Sequence, residues 1–164
     1  MNPMRSFGFL LRDVSRLYVR RFEQRAAVLG LTLPQCRALV HLALNEGISQ
    51  ARLAELTDVE PMTLVRILDR MARDGWLERR VDATDRRARR IHLKAKAKAL
   101  VDDIWKLAEI TRAEAFLGIP KQQAGVLIGL LDQVRANLAK LEPLPLPTAA
   151  TPAAPRRKGS FAQS

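Results

Sequence analysis

The run Leu53-Ala54-Glu55-Leu56-Thr57-Asp58-Val59-Glu60-Pro61-Met62-Thr63-Leu64-Val65-Arg66-Ile67-Leu68-Asp69-Arg70-Met71-Ala72-Arg73-Asp74-Gly75 reads as two short helices joined by a tight turn. Ser49 is placed to cap the first, with Ile48 and Leu53 as its hydrophobic staple and Leu53, Ala54 and Leu56 facing inward. Thr57 to Glu60 form the connection. Pro61, which has no amide hydrogen to lose, suits the first position of the second helix, and Gly75 ends it. At helical period that second helix has two faces. Leu64, Ile67, Leu68 and Met71 form an inward stripe, while Met62, Thr63, Arg66, Arg70 and Arg73 lie opposite.

The outer face carries the first functional signal. Arg66 and Arg70 stand four residues apart and repel by roughly a few tenths of a kcal/mol on an isolated helix; Asp69 relieves part of this. Such a repulsion makes sense if the face meets phosphates and guanine edges, where a bidentate arginine discriminates by about 1–3 kcal/mol. Downstream, Trp76 to Val81 is an extended apolar-to-basic segment. After the polar stretch Asp82 to Arg89, Arg90-Ile91-His92-Leu93 alternates as a second strand should. Between Arg79 and Lys98 six arginines and three lysines face only Asp82 and Asp85. Arg86 and Arg87 fall at the tip of this hairpin, where a side chain reaches a narrow minor groove, and Asp85 is placed to orient a neighbouring arginine.

Working outward, Phe7, Leu10, Leu11, Val14, Leu17, Tyr18 and Phe22 recur at helical steps and predict a long first helix ending near Gly30. Met1 to Arg21 is arginine-rich and acid-poor like a transit peptide, but its rhythm continues into Phe22 and Ala26, so it belongs to the fold. Thr32 and Gln35 make a capping-box pattern, with Pro34 in the first turn of a second helix through Leu39, Val40 and Ala43. Beyond the hairpin a fifth helix runs from about Lys94 to Leu117. A sixth runs from Lys121 to about Leu141, with Val126, Leu127, Leu130, Leu131, Val134 and Leu138 on one side. From Pro143 the chain is rich in proline and alanine and predicts a disordered tail.

A chain of 164 residues holds one domain with a real core, and no apolar run approaches a membrane span. The net charge is +11, of which the tail's Arg156, Arg157 and Lys158 supply +3, leaving +8 on residues 1–142. A folded body that basic points to a polyanionic partner. Cys36 is the only cysteine, so no internal disulfide forms and a reducing cytoplasm is the expected location; a buried, inert thiol is the expected state. His41 and His92, the only histidines, do not stand in metal-ligand spacing with Cys36. No phosphate-cradling glycine loop or nucleophile–base pair is visible. Neither catalysis nor a metal or cofactor is expected. A rival reading is a winged helix that binds protein or RNA without operator specificity. Aromatics make up only 5% of the chain and none falls on the basic helix face, so stacking on unpaired bases lacks its usual residues.

The helix-turn-helix run quoted above, followed by Gly75-Trp76-Leu77-Glu78-Arg79 and Asp85-Arg86-Arg87-Ala88, resembles the MarR family of bacterial regulators over roughly residues 7–141. Leu64-Val65-Arg66 and Asp85-Arg86-Arg87-Ala88-Arg89-Arg90-Ile91 are most similar to its SlyA-like branch. The resemblance implies a mainly α, six-helix winged helix-turn-helix with a small β-hairpin wing. Residues 1–30 and 95–141 would then form a helical dimerisation region, 31–94 the DNA-binding region, and 142–164 a tail outside the family core. It further implies a homodimer reading a pseudo-palindromic operator in duplex DNA, with no membrane role. Pro61, Met62, Thr63 and Arg66 would face the major groove, Arg86 the minor groove, and Gln50 and Arg70 the backbone phosphates. Many relatives release DNA when a small aromatic acid or phenolic compound binds. Arg79 matches a family arginine that contacts such a carboxylate, although Val65 stands where the accompanying threonine would be. Arg37 and His41, with Cys36, are candidates to line that pocket. The family's usual Leu-Thr after the second wing strand is replaced by Leu93-Lys94, so the fifth helix lacks its threonine cap.

Overall fold

A computed structural model of the chain describes residues 6–82 and 89–141. Periodicity predicted the six helices and the two hairpin strands in their observed order. Helix α1 (Phe7–Ala26) passes through a 3-10 turn, Ala27–Leu29, and stops at Gly30. Helix α2 (Leu33–Leu44) begins where Gln35 Oε1 accepts the Thr32 backbone N–H at 2.9 Å and its hydroxyl at 3.0 Å. Strand β1 (Ile48–Ser49), α3 (Gln50–Thr57), α4 (Pro61–Arg73), β2 (Leu77–Val81), β3 (Arg89–Leu93), α5 (Ala95–Ala115) and α6 (Lys121–Ala139) follow. No single helix among the described residues is long and apolar enough to cross a membrane.

The chain divides into two compact units, one ending at Gly118 and the other beginning at Ile119. In the first unit, side chains from every layer meet in one core. Leu39 and Leu42 of α2, Leu53 of α3, Leu64, Leu68 and Met71 of α4, Leu77 of β2 and Ile91 of β3 are sealed from solvent. Phe22 and Ala26 of α1 and Ala97, Val101 and Ile104 of α5 close it from the other side. Helices α1 and α5 are also tied by Glu114, which accepts from Arg21 Nε at 2.8 Å and from Arg25. In the second unit α6 buries none of its residues.

The structure departs from the sequence reading in three places. The wing is a three-stranded antiparallel sheet of order β1-β3-β2, with Ile48 opposite Ile91 and Ser49 opposite Arg90, rather than a lone hairpin. Two residues are too short for alternation to reveal a strand. Thr57, assigned to the connection, instead ends α3 as a buried residue whose hydroxyl donates to the Leu53 carbonyl at 2.8 Å. Leu56 and Ile67, assigned to inward stripes, are half-buried. The start of α5 carries no side-chain cap on Lys94, as the missing threonine implied.

Candidate nucleic-acid interface

The turn between α3 and α4 is three residues long, and its sharpness rests on Asp58 at φ 52°, a left-handed conformation that aspartate tolerates better than most side chains. Ser49 Oγ accepts the Arg52 N–H at 3.2 Å and so starts α3 as the sequence predicted. Helix α4 begins differently. Its cap is Glu60, a residue the sequence does not single out because glutamate is not among the favoured capping residues. Glu60 accepts the Met62 N–H through Oε1 at 3.0 Å and the Thr63 N–H through Oε2 at 2.8 Å. Those two donors, Met62 first, hold the Glu60 carboxyl below the usual carboxylate range. The helix closes with the Gly75 N–H on the Ala72 carbonyl at 3.0 Å and the Trp76 N–H on the Met71 carbonyl at 2.9 Å. This pair of bonds requires the positive φ of Gly75, 76°. Lys96 Nζ donates to the Asp74 carbonyl at 3.1 Å, placing a cation on the negative end of the helix.

With both ends fixed and Leu64, Leu68 and Met71 fully buried, α4 has one rotational setting, and it presents Met62, Thr63, Arg66, Arg70 and Arg73 to solvent. Arg66, Arg70 and Arg73 line one open concavity of about 470 Å³ together with Asp74. Gln50 and Pro61 line a second, of about 550 Å³, between the starts of α3 and α4. Asp69, expected to relieve the repulsion between Arg66 and Arg70, is turned toward β2, where its Oδ1 lies 2.7 Å from Arg79 Nη2.

The wing root is held by a carboxylate to which the sequence assigned no role. Asp82 is buried and pairs with Arg90 across the base of the hairpin, and Arg90 also donates to the Gly47 carbonyl at 3.3 Å. Gly47 has φ 74°, a conformation that favours glycine, and a Cβ there would come within 3.2 Å of the His92 ring, which would have to shift. The orienting role assigned to Asp85 and the groove-entering roles of Arg86 and Arg87 fall outside the described residues.

The three candidate ligand residues separate. Arg37 and His41 share a cleft of about 150 Å³ with Cys36, Phe22, Ile104 and Trp105, walled by α1, α2 and α5. Arg79 is not in it. Burial pushes the Cys36 thiol up to about 11, so it stays protonated at neutral pH.

A fixed cationic helix beside a three-stranded sheet, joined to a shorter helix by a tight turn, defines a winged helix-turn-helix protein of the nucleic-acid-binding class. A sequence model of the MarR family matches residues 29–88. The solved transcriptional regulator PA3341 is 34% identical, with 83% of this chain and 100% of that one covered and a TM-score of 0.74. A MarR-family transcriptional regulator from Silicibacter pomeroyi is 27% identical over 83% of this chain and 92% of its own, with a TM-score of 0.71. BpsR of Bordetella bronchiseptica, solved to explain regulation of its DNA binding by 6-hydroxynicotinic acid, is 22% identical over 87% and 99%, with a TM-score of 0.71. The chain belongs to the MarR family of transcriptional regulators.

Proposed function

We propose that the chain is a homodimeric repressor that reads a pseudo-palindromic operator in duplex DNA and lets go when a small aromatic acid or phenol binds. The observation that carries this reading is α4. One face is sealed into the core and the other offers Arg66, Arg70 and Arg73 around one concavity. In this reading Pro61, Met62, Thr63 and Arg66 address base edges, while Gln50 and Arg70 hold phosphates. Arg86 and Arg87 of the wing are assigned the minor groove on sequence grounds. Leu64-Val65-Arg66 and the basic wing sequence support a place in the SlyA-like branch.

The dimer is supported by apolar surface the single chain leaves open. Phe7, Leu10, Val14 and Leu17 of α1 are each more than half exposed, as are Val126, Leu130 and Leu138 of α6. Rows of large apolar side chains left exposed on a helix, as on each of these two, mark an interface. Residues 1–30 and 95–141 are therefore assigned to dimerisation and 31–94 to DNA. The effector is supported by the Arg37–His41 cleft, whose roughly 150 Å³ suits one aromatic ring, and by the regulation of BpsR by an aromatic acid. Arg37 would meet the carboxylate.

Selection of bound duplexes from a random pool tests the reading. A two-fold symmetric motif is the expected result, with affinity falling steeply as salt rises. Equal binding to all duplexes, or a preference for single-stranded RNA, would sink it in favour of a general winged-helix module. For the effector, 6-hydroxynicotinic acid should displace the selected duplex from the wild-type chain but not from R37A. An identical response in both removes Arg37 from the site.

A further inference from the structure

Glu60 does not fit a surface built only to attract phosphate. It is exposed, it directly precedes α4, and its carboxylate stands beside Met62 and Thr63 on the face that Arg66 makes cationic. We propose that Glu60 is a specificity-determining residue of the DNA-reading surface, its carboxylate accepting a hydrogen bond from the N4 amino group of a cytosine in the major groove. This inference rests on the DNA-reading function above and names one base that function selects.

The geometry makes the group an acceptor of fixed position. Each oxygen already takes one backbone N–H and the Thr63 hydroxyl adds to the hold, so the side chain is tied in place, while a carboxylate's roughly four acceptor positions leave capacity for a further donor. Pro61, with its φ restricted and no N–H, adds neither slack nor a competing donor. A carboxylate so held repels phosphate, guanine O6 and N7, and thymine O4. Only the amino groups of cytosine and adenine attract it. Adenine sets its amino group beside the N7 acceptor, which faces a second carboxylate oxygen badly. Cytosine has no acceptor there and matches better. The surroundings agree. The adjoining concavity is lined by Glu55 and Asp58 as well as Glu60, so negative charge gathers at this end of α4, where the phosphate contact proposed above is the uncharged amide of Gln50 rather than a cation. Glu55 is joined to Arg52 at 2.6 Å, and the pair leaves that wall without net positive charge.

The test compares the full-length wild type with E60S and E60D in the random-duplex selection, with affinities for the selected duplex and a scrambled one. Serine caps helices as well as any residue but lacks charge and reach, and aspartate keeps the charge with a shorter reach. The wild type should select a C·G pair at one position per half-site. E60S should lose that preference roughly tenfold at that position alone and bind the scrambled duplex more tightly. E60D should lose the preference while still binding the scrambled duplex weakly. If E60S keeps every position of the motif and all its affinities shift together, Glu60 is only a helix cap and the proposal is overturned. If E60S melts early by circular dichroism, E60N, equally good at capping, is read in its place by the same criteria. A wild-type pool with no motif at all removes the DNA-reading function itself, a result distinct from a motif that survives the substitution.

Discussion

Helices α4 and α6 carry apolar residues at the same period and finish in opposite conditions. In α4 the stripe Leu64, Leu68, Met71 has no exposed surface, and the opposite face is arginine. In α6 Val126, Leu127, Leu130, Leu131 and Leu138 are all between 38% and 59% exposed, and no residue of the helix is buried. The first helix is completed by its own chain and offers charge to something else. The second is not completed, and the dimer proposed above would cover it with a second copy. A hydrophobic period therefore says that a face will be buried, and does not say by whom.

That contrast breaks most visibly in α6. Leu127→Glu with Leu130→Glu should leave the chain monomeric in multi-angle light scattering and lower affinity for a two-fold operator by roughly a hundredfold or more, since the second half-site no longer binds at high effective concentration. A dimer that survives would place the interface elsewhere. Next in size is Leu68→Ala, a deletion inside a closed core. It should lower stability by about 2–5 kcal/mol in urea titrations at any protein concentration. Leu138→Ala should matter only as far as the chain is dimeric, so its effect should shrink on dilution. Equal effects from both substitutions at all dilutions would erase the distinction.

Arg66→Ala sharpens the other side of the comparison. It should leave stability within about 0.5 kcal/mol and weaken the best duplex by about 1–3 kcal/mol, with less effect on scrambled DNA. Equal losses on every sequence would reduce Arg66 to a phosphate contact. The smallest effect belongs to Cys36, whose raised pKa adds stability below the free-thiol range. That stability is lost as pH rises from near 9 to about 11. At neutral pH the native thiol should react with iodoacetamide far more slowly than in urea, and peroxide should release DNA alike from wild type and C36S. A peroxide response lost in C36S would make the buried thiol a sensor.

How much of this was legible follows from how local each signal is. The α4 stripe needed only neighbours three and four residues apart, and the caps at Thr32 and Ser49 only the next turn. Strand β1 was invisible because Ile48 finds Ile91 far along the chain and has no alternation of its own. Asp82 and Asp85 look alike in sequence, and only folding shows that Asp82 is enclosed with Arg90. Glu60 breaks the usual capping preference, although an acidic residue directly before a helix-opening proline was a readable hint. Arg79 matches a family position in sequence, but that match carried no knowledge of the Asp69 carboxylate already beside it.

The short strand has a mechanical consequence. Because Ile48 and Ser49 are laced to Ile91 and Arg90, and Arg90 reaches back to the Gly47 carbonyl, the start of the helix pair and the root of the hairpin are one piece of sheet. The gap between reading helix and hairpin is thereby set like the jaws of a fixed calliper. If the proposed dimer is released from DNA by a small molecule, this lacing predicts that the spacing between the two protomers' winged units changes rather than the root of either one.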